Sequence, residues 1–118
     1  FKNYATRIIK NYPELSISFN INIEKERELS PQQSLNLFRI MQEALQNACK
    51  HAGASVIATE ILAKEKIKIT IADNGIGLTQ KATGDNYGLQ NIQQRASEIN
   101  FTLQLLSENG TTVVLNEK

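Results

Sequence analysis

Four residues whose side chains can bind a ligand or take part in catalysis stand between positions 43 and 51. A helix turns by about 100° per residue, so Glu43, Asn47 and Lys50 would share one stripe, with His51 beside it. A carboxylate can polarise a water or hydroxyl, an amide oxygen can bind a divalent cation, and an ammonium can contact phosphate. The same stripe also fits a solvated helix face, so by itself it leaves both interpretations open.

A second candidate is the segment DNGIG, residues 73–77, which directly follows an alternating apolar stretch. Asp73 at a strand end can accept a hydrogen bond from an exocyclic amine. Gly75 and Gly77 allow the backbone to approach a flat ligand or to adopt a positive φ. The segment is not a P-loop, because no GK[ST] follows, and not a dinucleotide fingerprint, because a loop follows instead of a helix. Alone, it is typical of a glycine turn.

Two further segments contain groups that suit an anion or another ligand. Gly84 and Gly88 bracket a polar stretch that ends at a predicted helix beginning near Leu89. Free backbone N–H groups at a helix N-terminus suit phosphate oxygens, although an N-cap glycine is also common there. The hydroxyl of Thr111, which leads into the last predicted strand, can serve a ligand or can simply suit a solvent-facing strand position.

The elements that must position these groups follow from the spacing of apolar residues. Helical spacing predicts helices over residues 1–12, from a Ser30 N-cap to about His51, and over 88–99. Alternation and turn residues predict strands over residues 16–23, 55–62, 66–72, 101–106 and 111–116, with a loop over 78–87. The long helix is predicted to bury a stripe formed by Leu35, Phe38, Met41, Leu45, Ala48, Cys49 and Ala52. This order favours a two-layer α+β sandwich over a wound parallel sheet.

Composition excludes several classes of function. The 118 residues fit one domain. With 13 basic and 12 acidic residues the net charge is +1, which does not indicate the basic surface that binds nucleic acid. One cysteine, Cys49, and one histidine exclude an internal disulfide and a zinc cluster, and they indicate a cytoplasmic setting. No apolar run approaches the roughly 20 residues of a membrane span. A start at Phe1 suggests a fragment of a longer protein.

The order and spacing of these segments resemble the ATP-binding catalytic domain of sensor histidine kinases. LFRIMQEALQNACKHAGA (37–54) is similar to the N box, and IADNGIGL (71–78) is similar to the DxGxG box. GLQNIQQRASEI (88–99) resembles the segment after the lid, and ENGTTV (108–113) resembles the terminal GT box. The NxxKHA ending is typical of the group that pairs with NarL-type response regulators.

That resemblance covers nearly the whole chain and implies the Bergerat fold of the superfamily that also contains gyrase, the heat-shock chaperone ATPase and MutL. The fold would be a mixed, mostly antiparallel sheet of about five strands with three helices on one face. Residues 1–118 are expected to form this single domain.

The resemblance also implies a role for each matching residue. On the long helix, Glu43 would be the catalytic general base and Asn47 would bind the Mg²⁺ that bridges the triphosphate. Lys50 and His51 would contact phosphate or ribose. Asp73 would accept a hydrogen bond from the adenine amino group.

The remaining ATP-binding roles implied by the resemblance fall outside the long helix. Gly75 and Gly77 would shape the base pocket, and Gly88 and Leu89 would anchor the lid against the phosphates. Thr111 would support the interaction of Asp73 with adenine through water. Arg95, on the helix after the lid, is expected to be a structural ion-pair partner.

The implied activity is transfer of the γ-phosphoryl group of ATP to a histidine on a separate helical dimerisation domain, in two-component signalling through a response regulator. The phosphoacceptor helix is absent, since the one histidine belongs to the N box, so a monomeric fragment unable to phosphorylate itself is expected. The parent protein can be membrane-anchored. Two alternatives stay open: an anti-sigma-factor-type serine kinase, and a non-catalytic ATP-binding or docking module.

Overall fold

The computed structural model describes residues 2–26, 28–50, 55–75, 89–107 and 110–118. In chain order the elements are α1 (Lys2–Ile9), β1 (Ser16–Ile23), α2 (Pro31–Lys50), β2 (Val56–Ala63), β3 (Ile67–Asp73), α3 (Leu89–Glu98), β4 (Phe101–Leu106) and β5 (Thr112–Glu117). Each predicted helix and strand is present, with ends that differ from the expected ones by a few residues at most. The predicted loop over 78–87 lies outside the described residues.

The five strands form one sheet in the order β1-β2-β3-β5-β4. β1 and β2 are parallel, because the chain crosses back through α2 between them, and the other three pairings are antiparallel. This is the mixed, mostly antiparallel sheet that the motifs predict, and the α+β fold is confirmed.

One face of the sheet is apolar in every strand because the registers align the alternating residues. Across the middle of the sheet, Ile61 pairs with Ile69, Ile69 with Leu115, and Leu115 with Leu103. These side chains belong to one core with residues from all three helices, among them Ala5 of α1 and Ile40 of α2. The helices therefore cover this face, and residues such as Lys68 on the other face are exposed.

The start of α2 is fixed by reciprocal hydrogen bonds. The backbone N–H of Gln33 donates to Ser30 Oγ at 3.0 Å, and the Ser30 N–H donates to Gln33 Oε1 at 3.0 Å. This is a capping box, which satisfies two backbone donors at the helix start. Pro31 then occupies the first helical position, where a missing N–H costs nothing. The predicted Ser30 cap is confirmed.

The buried stripe of α2 differs from the predicted one. Leu35 is 51% exposed and Phe38 is only half-buried, so the prediction was wrong for Leu35. The observed stripe is centred about 70° away from the predicted one around the helix. Its buried hydrophobic members are Leu37, Ile40, Met41, Ala44, Leu45 and Ala48. The physical reason is that α2 contacts both the sheet and α3, and the apolar residues of this helix are numerous enough to fit either stripe.

The first helix is held against α2 by an aromatic pair and a hydrogen bond. The rings of Tyr4 and Phe38 lie 5.5 Å apart, edge to face at 71°, and Gln46 Nε2 donates to the Tyr4 hydroxyl at 2.8 Å. Within the described part of the chain, no helix combines the length and hydropathy that crossing a membrane requires.

A pair of equal truncations on α2 tests this placement of the core. Leu45 is fully buried, so Leu45→Ala should lower the free energy of unfolding by about 2–5 kcal/mol through lost transfer energy and the cavity left behind. The same change at the half-exposed Leu35 should cost less than about 1 kcal/mol. Urea unfolding followed by circular dichroism measures both. Equal losses for the two variants would contradict the buried face described here.

Candidate functional site

The carboxylate of Asp73 is oriented by the backbone around it. Asp73 pairs with the buried Ile57 across β2, so its side chain points to the face of the sheet that the helices cover. Its Oδ1 accepts hydrogen bonds from the N–H of Gly75 at 2.8 Å and of Thr111 at 3.3 Å. The Asp73 N–H donates in turn to the Thr111 carbonyl at 2.8 Å. Both bonds use Oδ1, and no hydrogen bond within the described ranges engages Oδ2, so this second oxygen can accept from a ligand.

Gly110 allows the chain before β5 to approach Asp73 closely. Its φ is +112°, and a Cβ built there would lie 1.9 Å from the Asp73 carbonyl oxygen and 3.0 Å from Asn74 Cα. Both neighbours are backbone atoms, which cannot move aside like the end of a side chain. A side chain at position 110 is therefore excluded. Because glycine has no Cβ, the chain can come close enough for the Thr111 N–H to reach the Asp73 carboxylate.

Asn74 links the end of β3 to the residues that begin β2. Its Oδ1 accepts from the N–H groups of Ser55 at 2.8 Å and Val56 at 3.0 Å, and its Nδ2 donates to Ser55 Oγ at 2.9 Å. Its backbone N–H donates to the Val56 carbonyl at 3.2 Å. A side chain that is itself exposed thus holds two segments together at the same end of the sheet as Asp73.

On α2, Glu43 and Asn47 lie at the border of the buried face, and both are half-buried. Neither residue is fully exposed, because the buried stripe is rotated towards them. Asn36 lies on the stripe of Glu43 and Asn47, about two and three turns earlier. It is 3% exposed, and its Nδ2 donates to the Arg95 carbonyl at 2.9 Å and to Glu98 Oε1 at 3.0 Å.

These contacts fix the last turn of α3 beside the stripe that carries the two candidate residues. Arg95 takes part through its backbone carbonyl, and its expected ion pair is not among the interactions within the described ranges. Asn36 was not recognised from the sequence, where a polar residue amid apolar neighbours was the one available signal.

Several predicted site residues cannot be placed. Lys50 and Leu89 are in α2 and α3, but their side chains lie outside the described part of the structure. His51, Gly77 and Gly88 also lie outside the described residues. The structure thus brings together three of the predicted residues at the sheet end and places two more on α2: Asp73, Gly75 and Thr111, then Glu43 and Asn47.

A cavity of about 520 Å³ lies elsewhere in the sandwich, between the first half of α2 and the opposite end of β3, with Leu37, Phe38 and Ile67 among its lining residues. Along α2, its lining residue Ser34 is about 20 Å from Asn47. The lining is mostly apolar, so the chemistry of Asp73 and Asn47 identifies the candidate site better than this volume does.

Comparison with known proteins places this geometry in a family. Residues 32–117 match the family model described as histidine kinase-, DNA gyrase B-, and HSP90-like ATPase. The chain belongs to this ATPase family. The ATP-binding domain of histidine kinase type that the motifs predict is thereby confirmed.

Curated relatives and a solved structure agree with that assignment. The chain is 35% identical to the signal transduction histidine-protein kinase/phosphatase UhpB of Salmonella typhimurium over 89 residues, which are 75% of this chain and 18% of that protein. It is 32% identical to the nitrate/nitrite sensor protein NarX of Escherichia coli over 111 residues, 86% of this chain and 19% of that protein. The chain therefore spans about a fifth of the length of these relatives.

The solved structure is a histidine kinase domain from the Erythrobacter litoralis EL346 blue-light activated histidine kinase. It superposes with a TM-score of 0.77 at 18% identity, covering 98% of this chain and 61% of that one. At that identity the likeness supports the fold alone.

Gly110→Ala tests the close approach at the sheet end. The added Cβ would overlap the backbone of Asp73, and the positive φ would be strained, so we expect a loss of about 3–5 kcal/mol in unfolding free energy. Lys66→Ala, in the exposed turn between β2 and β3, is the control and should change stability by less than about 0.5 kcal/mol. Chemical unfolding measures both. A Gly110→Ala protein as stable as the control would refute the described packing.

Proposed function

We propose that this domain binds ATP with Mg²⁺ and supplies the γ-phosphoryl group to a histidine on a helical dimerisation domain of its parent protein. The observation that carries the proposal is the Asp73 carboxylate, whose Oδ1 accepts from two backbone N–H groups while no partner among the described residues engages Oδ2. A fixed acceptor at a strand end suits the exocyclic amine of adenine, which is a donor where guanine has a carbonyl. The family assignment supports the choice of ATP.

The residues of α2 would act at the other end of the nucleotide. Asn47 fits a role as an oxygen ligand, because its amide is half-buried and none of the hydrogen bonds within the described ranges engages it. No group of three or more histidine, cysteine, aspartate or glutamate side chains gathers in the described part of the chain. That suits Mg²⁺, which is commonly held through one or two protein oxygens together with water and substrate phosphates. When bound, the ion would neutralise charge on the phosphate oxygens.

Glu43 is proposed to orient the acceptor. Its carboxylate would accept a hydrogen bond from one N–H of the incoming imidazole, which holds the other ring nitrogen towards the γ-phosphorus. That nitrogen forms a bond to phosphorus as the bond from phosphorus to the bridging oxygen of ADP breaks. Positioning and charge neutralisation account for most of the rate enhancement in phosphoryl transfer. Glu43 lies one turn before Asn47 on the same stripe of α2, so one helix face would serve both acceptor and metal.

The proposed partners follow from the same relatives. UhpB is named as a signal transduction histidine-protein kinase/phosphatase, and NarX as a sensor protein. By analogy the parent of this domain would phosphorylate its own dimerisation domain and pass the group to a response regulator. Because this chain spans about a fifth of those proteins, the acceptor histidine would be supplied from outside it.

Titration calorimetry with ATP and GTP, with and without Mg²⁺, tests the nucleotide assignment. The wild-type chain should bind ATP saturably and prefer it to GTP. Asp73→Asn keeps an oxygen that can accept from Gly75 and Thr111, but it turns an N–H₂ donor towards the adenine amine. We expect ATP affinity to fall about tenfold to a hundredfold and the preference over GTP to shrink. A wild-type chain that is folded yet binds no ATP would overturn the proposal.

Asn47→Ala tests the metal assignment separately. Removing the amide should abolish the gain in ATP affinity that Mg²⁺ provides, while affinity measured in EDTA stays near that of the wild type. The fold should survive, because Asn47 is not in the buried core. Arg39→Ala, at an exposed position of α2 about two turns before Asn47, serves as the control and should keep the full response to Mg²⁺. An unchanged Mg²⁺ dependence in Asn47→Ala would exclude the residue as a ligand.

A further inference from the structure

We infer that Asn74 is a positioning residue for the nucleotide site, an inference that rests on the proposed ATP-binding function. The residue is exposed and contributes nothing to the core, yet it makes four hydrogen bonds to Ser55 and Val56. An exposed asparagine can form its hydrogen bonds with water, and fixing its side chain costs conformational entropy, so these bonds add little stability. Their use is to hold the chain in one geometry. The contacts therefore point to a clamp between two segments.

The two segments that the clamp joins belong to different parts of the site. Ser55 directly precedes β2 and Val56 begins it, and α2, which carries Glu43 and Asn47, ends at Lys50. Asn74 directly follows Asp73, whose carboxylate is proposed to bind adenine. The clamp fixes the start of β2 relative to the end of β3, where Asp73 lies.

The clamp also holds Asp73 indirectly. Asp73 Oδ1 accepts from Gly75 N–H, so the backbone must turn sharply at Asn74, which stands between these two residues. The side-chain bonds to Ser55 and Val56 hold Asn74 in place from the β2 side, while Gly110 packs against its Cα region from the β5 side. Without the side chain, Asn74 would keep one described bond to β2, from its backbone N–H to the Val56 carbonyl, next to the ladder pairing of Asp73 with Ile57.

Two substitutions at position 74 separate positioning from simple loss of a side chain. Asn74→Ala removes all three side-chain hydrogen bonds. Asn74→Asp keeps an oxygen for the N–H groups of Ser55 and Val56, and its second oxygen can accept from the Ser55 hydroxyl, which rotates to donate. Asn74→Asp should therefore rescue what Asn74→Ala loses.

Glu117→Ala is the matched control, because Glu117 Oε1 accepts from the N–H of Ile67 at 3.0 Å, at the opposite end of β3. This variant also deletes a side-chain acceptor of a strand N–H, but far from Asp73. It should lower thermal stability without changing nucleotide affinity or selectivity.

The experiment measures ATP and GTP affinity of the 118-residue chain and its variants by calorimetry, together with hydrogen exchange of individual amides by NMR. Asn74→Ala should exchange faster at Ser55 and Val56, bind ATP about tenfold or more weakly, and discriminate less between ATP and GTP. Asn74→Asp should stay within about threefold of the wild type in ATP affinity. A merely destabilising change would lower the binding-competent fraction for both nucleotides and leave their ratio intact.

Wild-type ATP affinity and selectivity in Asn74→Ala would overturn the inference while leaving the proposed function standing. So would a failure of Asn74→Asp to restore them. If the folded wild-type chain binds no nucleotide, the proposed function and this inference both fail, and faster exchange in Asn74→Ala would then report a purely structural clamp.

Discussion

The geometry of the candidate site depends on the backbone contact between Gly110 and the end of β3. Two chain segments that are distant in sequence approach until a single Cβ would overlap the Asp73 carbonyl. This approach allows the N–H and carbonyl of Thr111 to reach the Asp73 carboxylate and N–H, so the carboxylate is oriented by main-chain groups. Main-chain donors lose less freedom on ordering than long side chains do, and such a carboxylate is preorganised at low entropic cost.

That contact forms only because the sheet delivers both segments to the same edge. β3 lies between β2 and β5, and the register places Thr112 opposite Ala72, so Thr111 falls beside Asp73. A shift of one residue would turn the isoleucines of β3 away from the helices and the Asp73 carboxylate with them. The apolar pairing that stabilises the core therefore also selects the side of the sheet to which Asp73 points.

The sequence was sufficient for the elements and for the family, but not for the orientation of α2. Alternation in β1 and β3 and the Ser30 cap each follow from local rules, which is why those predictions hold. α2 contains more apolar residues than one stripe can bury, as Leu35 and Leu37 illustrate. The choice between them depends on where the sheet and α3 lie, and no local rule contains that information.

Contacts between distant segments could not be predicted from the sequence either. Asn74 reads as part of a glycine turn, and only the fold reveals that its amide meets Ser55. Asn36 reads as one polar residue in a helix, and only the fold reveals that it bonds to α3. In both cases the residue type signals a capacity for hydrogen bonding, while the partner is set by tertiary structure.

The two halves of the site are thus held by different physical means. Asp73 is fixed through backbone hydrogen bonds at the sheet end, from Gly75 and Thr111, neither of which belongs to a helix. Glu43 and Asn47 are fixed by the rotation of α2, which is set by the burial of side chains such as Leu45 and by the bonds of Asn36 to α3.

Small changes in core packing would rotate or shift α2 while leaving the carboxylate of Asp73 in place. Recognition of the base would therefore tolerate variation in the core better than the placement of the phosphates would, because phosphoryl transfer depends steeply on alignment. The clamp between Asn74 and the start of β2 acts on the first of these systems, because it restrains the residue that follows Asp73 and leaves the rotation of α2 to the core.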